Sequence, residues 1–158
     1  DVLPAFGGKA FYPCCCKTIC TECSNKCAIY DERCPLCREL ASVSEAESLL
    51  RLQKHVDKGN AEAQFALGQI YSHGGMGLKQ SPKRAFQLLE LAALQGSALA
   101  QTELGVSYER GEGVKIDDKA AALWYRRAAE QGYPLAQFFI GEMFFAGKGV
   151  AQSHDEAV

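Results

Sequence analysis

Residues 100–108, AQTELGVSY, together with the loop GEGV at residues 111–114, decide the fold of this chain. The same order of residue types stands at residues 63–71 as AQFALGQIY and at residues 136–144 as AQFFIGEMF. The three copies therefore begin 37 and then 36 residues apart (63 to 100, then 100 to 136). An internal repeat of this length is typical of stacked helical units.

Each copy begins with an amphipathic helix, which we name helix A. Ala100, Leu104 and Tyr108 are four residues apart, and this spacing places them on one face of a helix. Gly105 falls in the middle of the same helix, where glycine costs about 1 kcal/mol relative to alanine. Because the other copies also carry glycine there, the pattern predicts that a neighbouring helix approaches closely at this position.

A second helix, helix B, follows each glycine-rich loop, since glycine permits the positive φ that such a reversal needs. We predict helix B over about Pro82–Gln95 and about Asp118–Gln131. Pro82 suits the first turn of a helix, and Ser81 and Asp117 are candidate N-caps. Each run is followed by a glycine at the place of a left-handed C-terminal cap.

The unit from Ala100 to Gly132 resembles the Sel-one-like repeat, a relative of the tetratricopeptide repeat. The resemblance covers residues 61–158, as repeat 1 (61–97), repeat 2 (98–133) and an incomplete repeat 3 (134–158). It implies an all-α chain that forms a right-handed α-solenoid of helix pairs. The usual role of such solenoids is protein binding and complex assembly, so protein partners are expected.

Residues 41–60 lie before the first repeat and contain a further predicted helix. Glu45 and Glu47 in its first turn favour helix formation, and Gly59 with Asn60 ends it. We expect this helix to cap the solenoid and to fasten it to the segment before it. The alternative is an independent amphipathic linker.

Composition excludes several classes of function. The net charge of −2 gives no electrostatic case for nucleic acid or an anionic membrane, and no apolar run reaches the roughly 18 residues of a membrane span. No catalytic constellation or phosphate-binding loop is present in the sequence. Because the chain begins with Asp1 and stops within the third repeat, we expect it to be a fragment cut at both ends.

Cysteine is confined to residues 14–37, which hold all eight. Two Cys-x2-Cys pairs, Cys20 with Cys23 and Cys34 with Cys37, are typical of a zinc site, because each pair offers two thiolates on one turn. The sequence thus predicts a small zinc-stabilised module over residues 1–40. A disulfide framework in a secreted protein is the alternative, and zinc-bound thiolates favour an intracellular, cytoplasmic or nuclear location.

The same segment resembles a RING-type zinc finger, in which four ligand pairs hold two Zn²⁺ ions. The resemblance assigns Cys34 and Cys37 to the fourth pair and Cys20 and Cys23 to the third, while two of the three cysteines at 14–16 supply the second. The first pair is absent, and one four-cysteine site is the other arrangement. The candidate zinc ligands are Cys14, Cys15, Cys16, Cys20, Cys23, Cys34 and Cys37.

Two functions follow from these resemblances. The first is a zinc-containing interaction scaffold, with a column of amides at one repeat position that could bind a partner's backbone. The second is a RING-type ubiquitin ligase, in which the residues around the last zinc cysteine contact a ubiquitin-conjugating enzyme. The candidate partner-binding residues are Gln64, Gln101 and Gln137 for the scaffold, and Pro35, Leu36 and Arg38 for the ligase.

Overall fold

A computed structural model describes residues 9–12, 17–20 and 45–151 of the chain. Strand β1 (Lys9–Tyr12) pairs in antiparallel fashion with strand β2 (Lys17–Cys20). Lys9 lies opposite Cys20, and Tyr12 lies opposite Lys17. Residues 13–16, which include the triple cysteine, lie outside the described residues.

From residue 45 onward the described chain is helical, as predicted. Six helices of 13 residues each follow one another, and consecutive helices pack together. They are α1 (Glu45–Asp57), α2 (Ala61–His73), α3 (Pro82–Leu94), α4 (Ala98–Arg110), α5 (Asp118–Glu130) and α6 (Pro134–Ala146). Helices α2, α4 and α6 are the A helices, and α3 and α5 are the B helices. The predicted bounds of the B helices are correct to within one residue.

Side-chain caps start three of these helices, α2, α4 and α5. Asn60 accepts a hydrogen bond from the Ala63 backbone N–H at 2.8 Å, and Asp117 accepts two such bonds at the start of α5. These bonds satisfy backbone donors that the first turn of a helix leaves unpaired. The prediction of Asp117 as an N-cap is confirmed, whereas Ser81 occupies the N-cap position of α3 without making a side-chain bond.

Helix α1 packs against α2 and is not an independent linker. Leu52 is fully buried and belongs to the same apolar cluster as Leu67 and Ile70 of α2. The apolar stripe predicted for residues 41–60 thus covers the first A helix. The remaining core continues through two further clusters, one around Leu104 and Trp124 and one around Tyr125 and Ile140.

The mid-helix glycines mark close contacts between helices A and B. A Cβ atom placed on Gly105 would lie 2.5 Å from Cε1 of Tyr125, well inside van der Waals contact. At the equivalent position, a Cβ on Gly68 would lie 3.3 Å from the Leu89 side chain. The predicted close approach is therefore confirmed for both repeats, and it is tighter in the second.

The glycine loops contact the preceding repeat. Gly113 lies against the backbone carbonyl of Pro82, at the start of α3, and Gly149 lies against the carbonyl of Asp118, at the start of α5. A side chain at either glycine would overlap that backbone. By contrast, a Cβ on Gly77, in the longer first loop, would meet no described atom within 4 Å.

Candidate protein-interaction surface

The three glutamines predicted to bind a partner's backbone occupy an internal position. Gln64 and Gln101 are 5% and 6% exposed, and their amides bond to other residues of the chain. Gln137 is exposed, but its Nε2 donates to the Ala129 carbonyl at 3.4 Å. The expected column of partner-binding amides is corrected for Gln64 and Gln101, which are buried and bonded within the chain, whereas Gln137 stays exposed.

These glutamines hold the carboxyl ends of the B helices. The Gln101 amide donates to the Ala93 carbonyl at 3.1 Å and accepts a hydrogen bond from Gln131 at 2.7 Å. In the first repeat, Gln95 donates to Gln64 in the same way, also at 2.7 Å. Since the last carbonyls of a helix have no partner within the helix, this arrangement satisfies groups that burial would otherwise leave unpaired.

A polar cluster lies between the A helices of the first two repeats. We name it the α2–α4 cluster and define it by Gln69, His73 and Glu103. Gln69 is only 7% exposed, and neither polar atom of its side chain completes a hydrogen bond of ordinary geometry within the described chain. The Nδ1 atom of His73 lies 3.1 Å from the Gln69 backbone carbonyl oxygen. A buried amide without partners costs about 1–3 kcal/mol, and Oδ1 of Asp118 is the other buried side-chain atom without a hydrogen-bond partner in the described part of the chain.

The electrostatics of the cluster centre on Glu103. Burial raises the pKa of the half-buried Glu103 carboxyl, while the nearby Gln69 amide and His73 lower it in part. Burial raises the pKa of the Tyr133 hydroxyl, at the start of α6, and the negative charge of Glu103 raises it further.

Helix α6 carries exposed apolar side chains, and residues 152–158, which follow it in sequence, lie outside the described residues. Phe138 is 58% exposed, and Phe145 and Leu135 are exposed as well. A cavity of about 1000 Å³ lies along α6 and is bordered by Phe138 and Phe139, with Glu109 and Lys148 at its polar edge. Lys148 reaches Glu109 at 3.5 Å. An open apolar surface with a charged rim is typical of sites that receive another protein.

Most predicted residues of the zinc module lie outside the described residues. This applies to every candidate ligand except Cys20, and to Pro35, Leu36 and Arg38. Cys20 is the last residue of β2. No group of three or more potential metal ligands occurs among the residues that the structure describes.

One feature of the described chain was missed by the sequence analysis. The shared repeat pattern did not predict the α2–α4 cluster, because Glu103 occupies a repeat position that holds Ala66 and Phe139 in the other copies. A carboxylate in an apolar column is the signal that would have found it. The structure also shows no helix long and apolar enough to cross a membrane within the part of the chain that it describes.

The comparison with protein families gives a match over three segments. The model of the Sel1 repeat matches residues 61–97, 98–133 and 134–158. Among curated proteins, chitin synthase regulatory factor 3 of Schizosaccharomyces pombe is 39% identical over 56 residues. That match covers 35% of this chain and 6% of the yeast protein.

Solved structures share the helical architecture. The chain is similar to c5321, a protective antigen present in uropathogenic Escherichia coli strains that displays an SLR fold, with a TM-score of 0.71 and 31% identity. This match covers 75% of the chain and 25% of the antigen. A Sel1 repeat protein from Oxalobacter formigenes gives a TM-score of 0.66 and 35% identity, with 69% of this chain and 82% of that protein covered. The chain thus spans only part of the first relatives that it matches.

Proposed function

Because the chain belongs to the Sel1 repeat family, we propose that it is an interaction scaffold whose A helices bind a protein partner. The observation that carries this proposal is the stack of helix pairs, with exposed apolar side chains such as Phe138 and Phe145 on α6. Interfaces that combine an apolar centre with a few directed polar groups gain both affinity and specificity. The B helices carry scattered exposed leucines, such as Leu94.

Site-specific photocrosslinking tests which surface binds. A benzophenone amino acid is placed at Phe138 on α6 or, as a matched control, at Leu94 on α3, since these side chains are 58% and 67% exposed. The full chain is then irradiated in cell extract, and crosslinked proteins are identified by mass spectrometry. The proposal predicts a specific partner from residue 138 and none from residue 94. Equal crosslinking at the two positions, or none at residue 138, would contradict it.

The proposal includes a zinc module at residues 1–40. Its support is the pair of Cys-x2-Cys spacings, Cys20 with Cys23 and Cys34 with Cys37, each of which offers two thiolates on one turn. When bound, Zn²⁺ would stabilise the module and would hold its thiolates away from oxidation.

Metal analysis tests this module. Protein purified under reducing, zinc-replete conditions should contain at least one equivalent of zinc, and Cys37→Ser should lower that content while the helical signal of the repeats persists. The matched control is Cys27→Ser, which removes a cysteine outside the assigned pairs. Metal-free protein with paired disulfides would contradict both the module and the intracellular, cytoplasmic or nuclear location that we propose with it.

RING-type ubiquitin ligase activity is the second candidate function. Its support is Arg38, a basic residue directly after the last cysteine pair, with Pro35 and Leu36 between the two cysteines of that pair. In this model the zinc module positions a ubiquitin-conjugating enzyme, and the repeats recruit the substrate. Discharge of ubiquitin from a panel of charged conjugating enzymes tests it: the chain should accelerate discharge, and Arg38→Ala should remove the acceleration. No acceleration with any enzyme would leave the scaffold alone.

A further inference from the structure

The loop between α2 and α3, which we name the first glycine loop, holds a methionine in a strained backbone conformation. Gly75 and Leu78 exchange two backbone hydrogen bonds, of 2.8 and 3.2 Å, so residues 75–78 form a tight hairpin turn. Its central residues, Met76 and Gly77, have φ values of 50° and 77°. Turns of this kind favour glycine or asparagine, because a Cβ atom is disfavoured at positive φ. Among the non-glycine residues that the structure describes, Met76 is the one with positive φ.

The Met76 side chain packs against the apolar core in spite of this backbone strain. It is partly buried against the cluster that joins α1 to α2, which we name the α1–α2 cluster and define by Leu52, Leu67 and Ile70. In the two later loops the residue before the second glycine is charged and exposed, as Glu112 and Lys148. The apolar contact is therefore particular to the first glycine loop, and it helps to offset the strain of the turn.

Met76 is also the more accessible of the two methionines of this chain. It is partly exposed, whereas Met143 of α6 is 2% exposed. Oxidants in solution reach an accessible thioether first, and the product, methionine sulfoxide, is polar. A polar group is unfavourable in an apolar contact that offers it no hydrogen bond. Oxidation of Met76 would therefore weaken a contact that holds the strained turn in place.

We propose that Met76 is a site of reversible methionine oxidation that controls the first glycine loop. A peroxide transfers one oxygen atom to the thioether sulfur, which loses two electrons, and the peroxide is reduced to water or an alcohol. The sulfoxide leaves the α1–α2 cluster, and the turn at residues 75–78 opens because its strain is no longer offset. A methionine sulfoxide reductase with a thiol reductant returns two electrons to the sulfur, releases the oxygen as water and closes the turn.

Hydrogen peroxide titration of the full chain tests the selectivity of this site. Peptide mapping by mass spectrometry follows the gain of one oxygen atom at each methionine. We expect Met76 to be oxidised at least about tenfold faster than Met143, because only Met76 is accessible in the folded chain. Equal rates at the two methionines would overturn the proposal.

Amide hydrogen exchange, resolved by NMR, tests the opening of the turn. The Leu78 N–H donates to the Gly75 carbonyl at 2.8 Å, so it reports directly on the closed turn. After oxidation this amide should exchange roughly tenfold faster, whereas amides in the middle of α4 and α5 should keep their protection. Treatment with methionine sulfoxide reductases and dithiothreitol should restore the original rate. Unchanged exchange of Leu78 in protein oxidised at Met76 would overturn the proposal.

Three variants separate this effect from oxidation of the eight cysteines. Met76→Leu keeps an apolar side chain that peroxide cannot oxidise, so peroxide should leave its Leu78 exchange unchanged. Met143→Leu is the matched control and should respond to peroxide like the wild type. Met76→Gln places a polar side chain in the turn and should show the fast Leu78 exchange without peroxide. The proposal is wrong if Met76→Leu responds to peroxide as the wild type does, or if Met76→Gln keeps the slow exchange.

Discussion

Replacing Gly105 by alanine measures how closely helices A and B approach in the second repeat. The new Cβ would lie 2.5 Å from Cε1 and 2.7 Å from Cδ1 of Tyr125. Carbon atoms in contact prefer about 3.5–4.0 Å, so either the ring or the helix must move. The ring is fully buried, and its hydroxyl donates to Glu109 at 3.0 Å, which restricts its movement.

The expected magnitude follows from two opposing effects. Alanine in place of a mid-helix glycine stabilises a helix by about 1 kcal/mol. Overpacking of a tight interior costs about 1–3 kcal/mol, and a 2.5 Å contact belongs at the upper end of that range. Gly105→Ala should therefore lower the free energy of unfolding by about 2 kcal/mol, which is on the order of 8 °C in melting temperature. Gly105→Leu should lower it further, although leucine is a good helix former.

Gly68→Ala is the matched control, because it makes the same change at the same repeat position. Its Cβ would lie 3.3 Å from the flexible end of Leu89, which can yield by a few tenths of an ångström. We expect no loss, and at most a gain of about 1 kcal/mol. Denaturant unfolding followed by circular dichroism measures both variants.

A double-mutant cycle identifies the cause. Tyr125→Leu gives the second repeat the residue that the first repeat has at Leu89, so Gly105→Ala should cost about 1–2 kcal/mol less in that background. The reasoning is refuted if Gly105→Ala is as stable as the wild type, or if its cost is the same with tyrosine and with leucine at residue 125.

Three further predictions concern the glutamines, the buried carboxylate and the apolar surface. Gln101→Leu should lower the free energy of unfolding by about 1–3 kcal/mol, since it leaves the Ala93 carbonyl unpaired; a cost below that of an exposed glutamine substitution, measured by urea unfolding, would contradict this. Glu103→Gln should stabilise the fold at pH 7, because folding raises the pKa of the Glu103 carboxyl. The contribution of this carboxyl to the free energy of unfolding is greatest below its ordinary pKa of 4.5 and is lost as the pH rises through its pKa in the folded protein. The gain in melting temperature should vanish below about pH 4, and a gain independent of pH would exclude this cause. Phe138→Ser together with Phe145→Ser should reduce self-association in sedimentation without lowering the melting temperature, because both rings are exposed; unchanged sedimentation would show that this surface is not adhesive.

The helices were predictable because their signals are local and repeated. Pro82 and Asp117 mark the starts of the B helices independently of tertiary packing. Gly105 indicates a close helix contact, because a glycine in the middle of a helix lowers helix stability and needs a reason in the packing. The facing of Gln101 was not predicted. Gln101 lies at the edge of the apolar face of α4. From the sequence alone, a residue there can either be exposed to solvent or contact a neighbouring helix.

A feature of the sequence would have settled that facing. Gln101 lies four residues before Gly105, on the side that meets helix B, and a second glutamine, Gln131, ends that helix. The α2–α4 cluster was harder to predict from the sequence, because Gln69 and Glu103 belong to different repeats and come together only when the repeats stack. Zinc binding by the cysteine-rich segment remains a prediction.

The contact of Gly113 with Pro82, and of Gly149 with Asp118, decides where this chain can accept foreign sequence. In those loops the backbone of one repeat packs against the first turn of helix B in the preceding repeat. An inserted peptide would therefore separate the two repeats. The first loop, around Gly77, has no such neighbour among the described atoms and already carries one residue more than the others. Epitopes or reporter peptides grafted there should leave the stack intact, whereas the same grafts at residues 112–113 should not be tolerated.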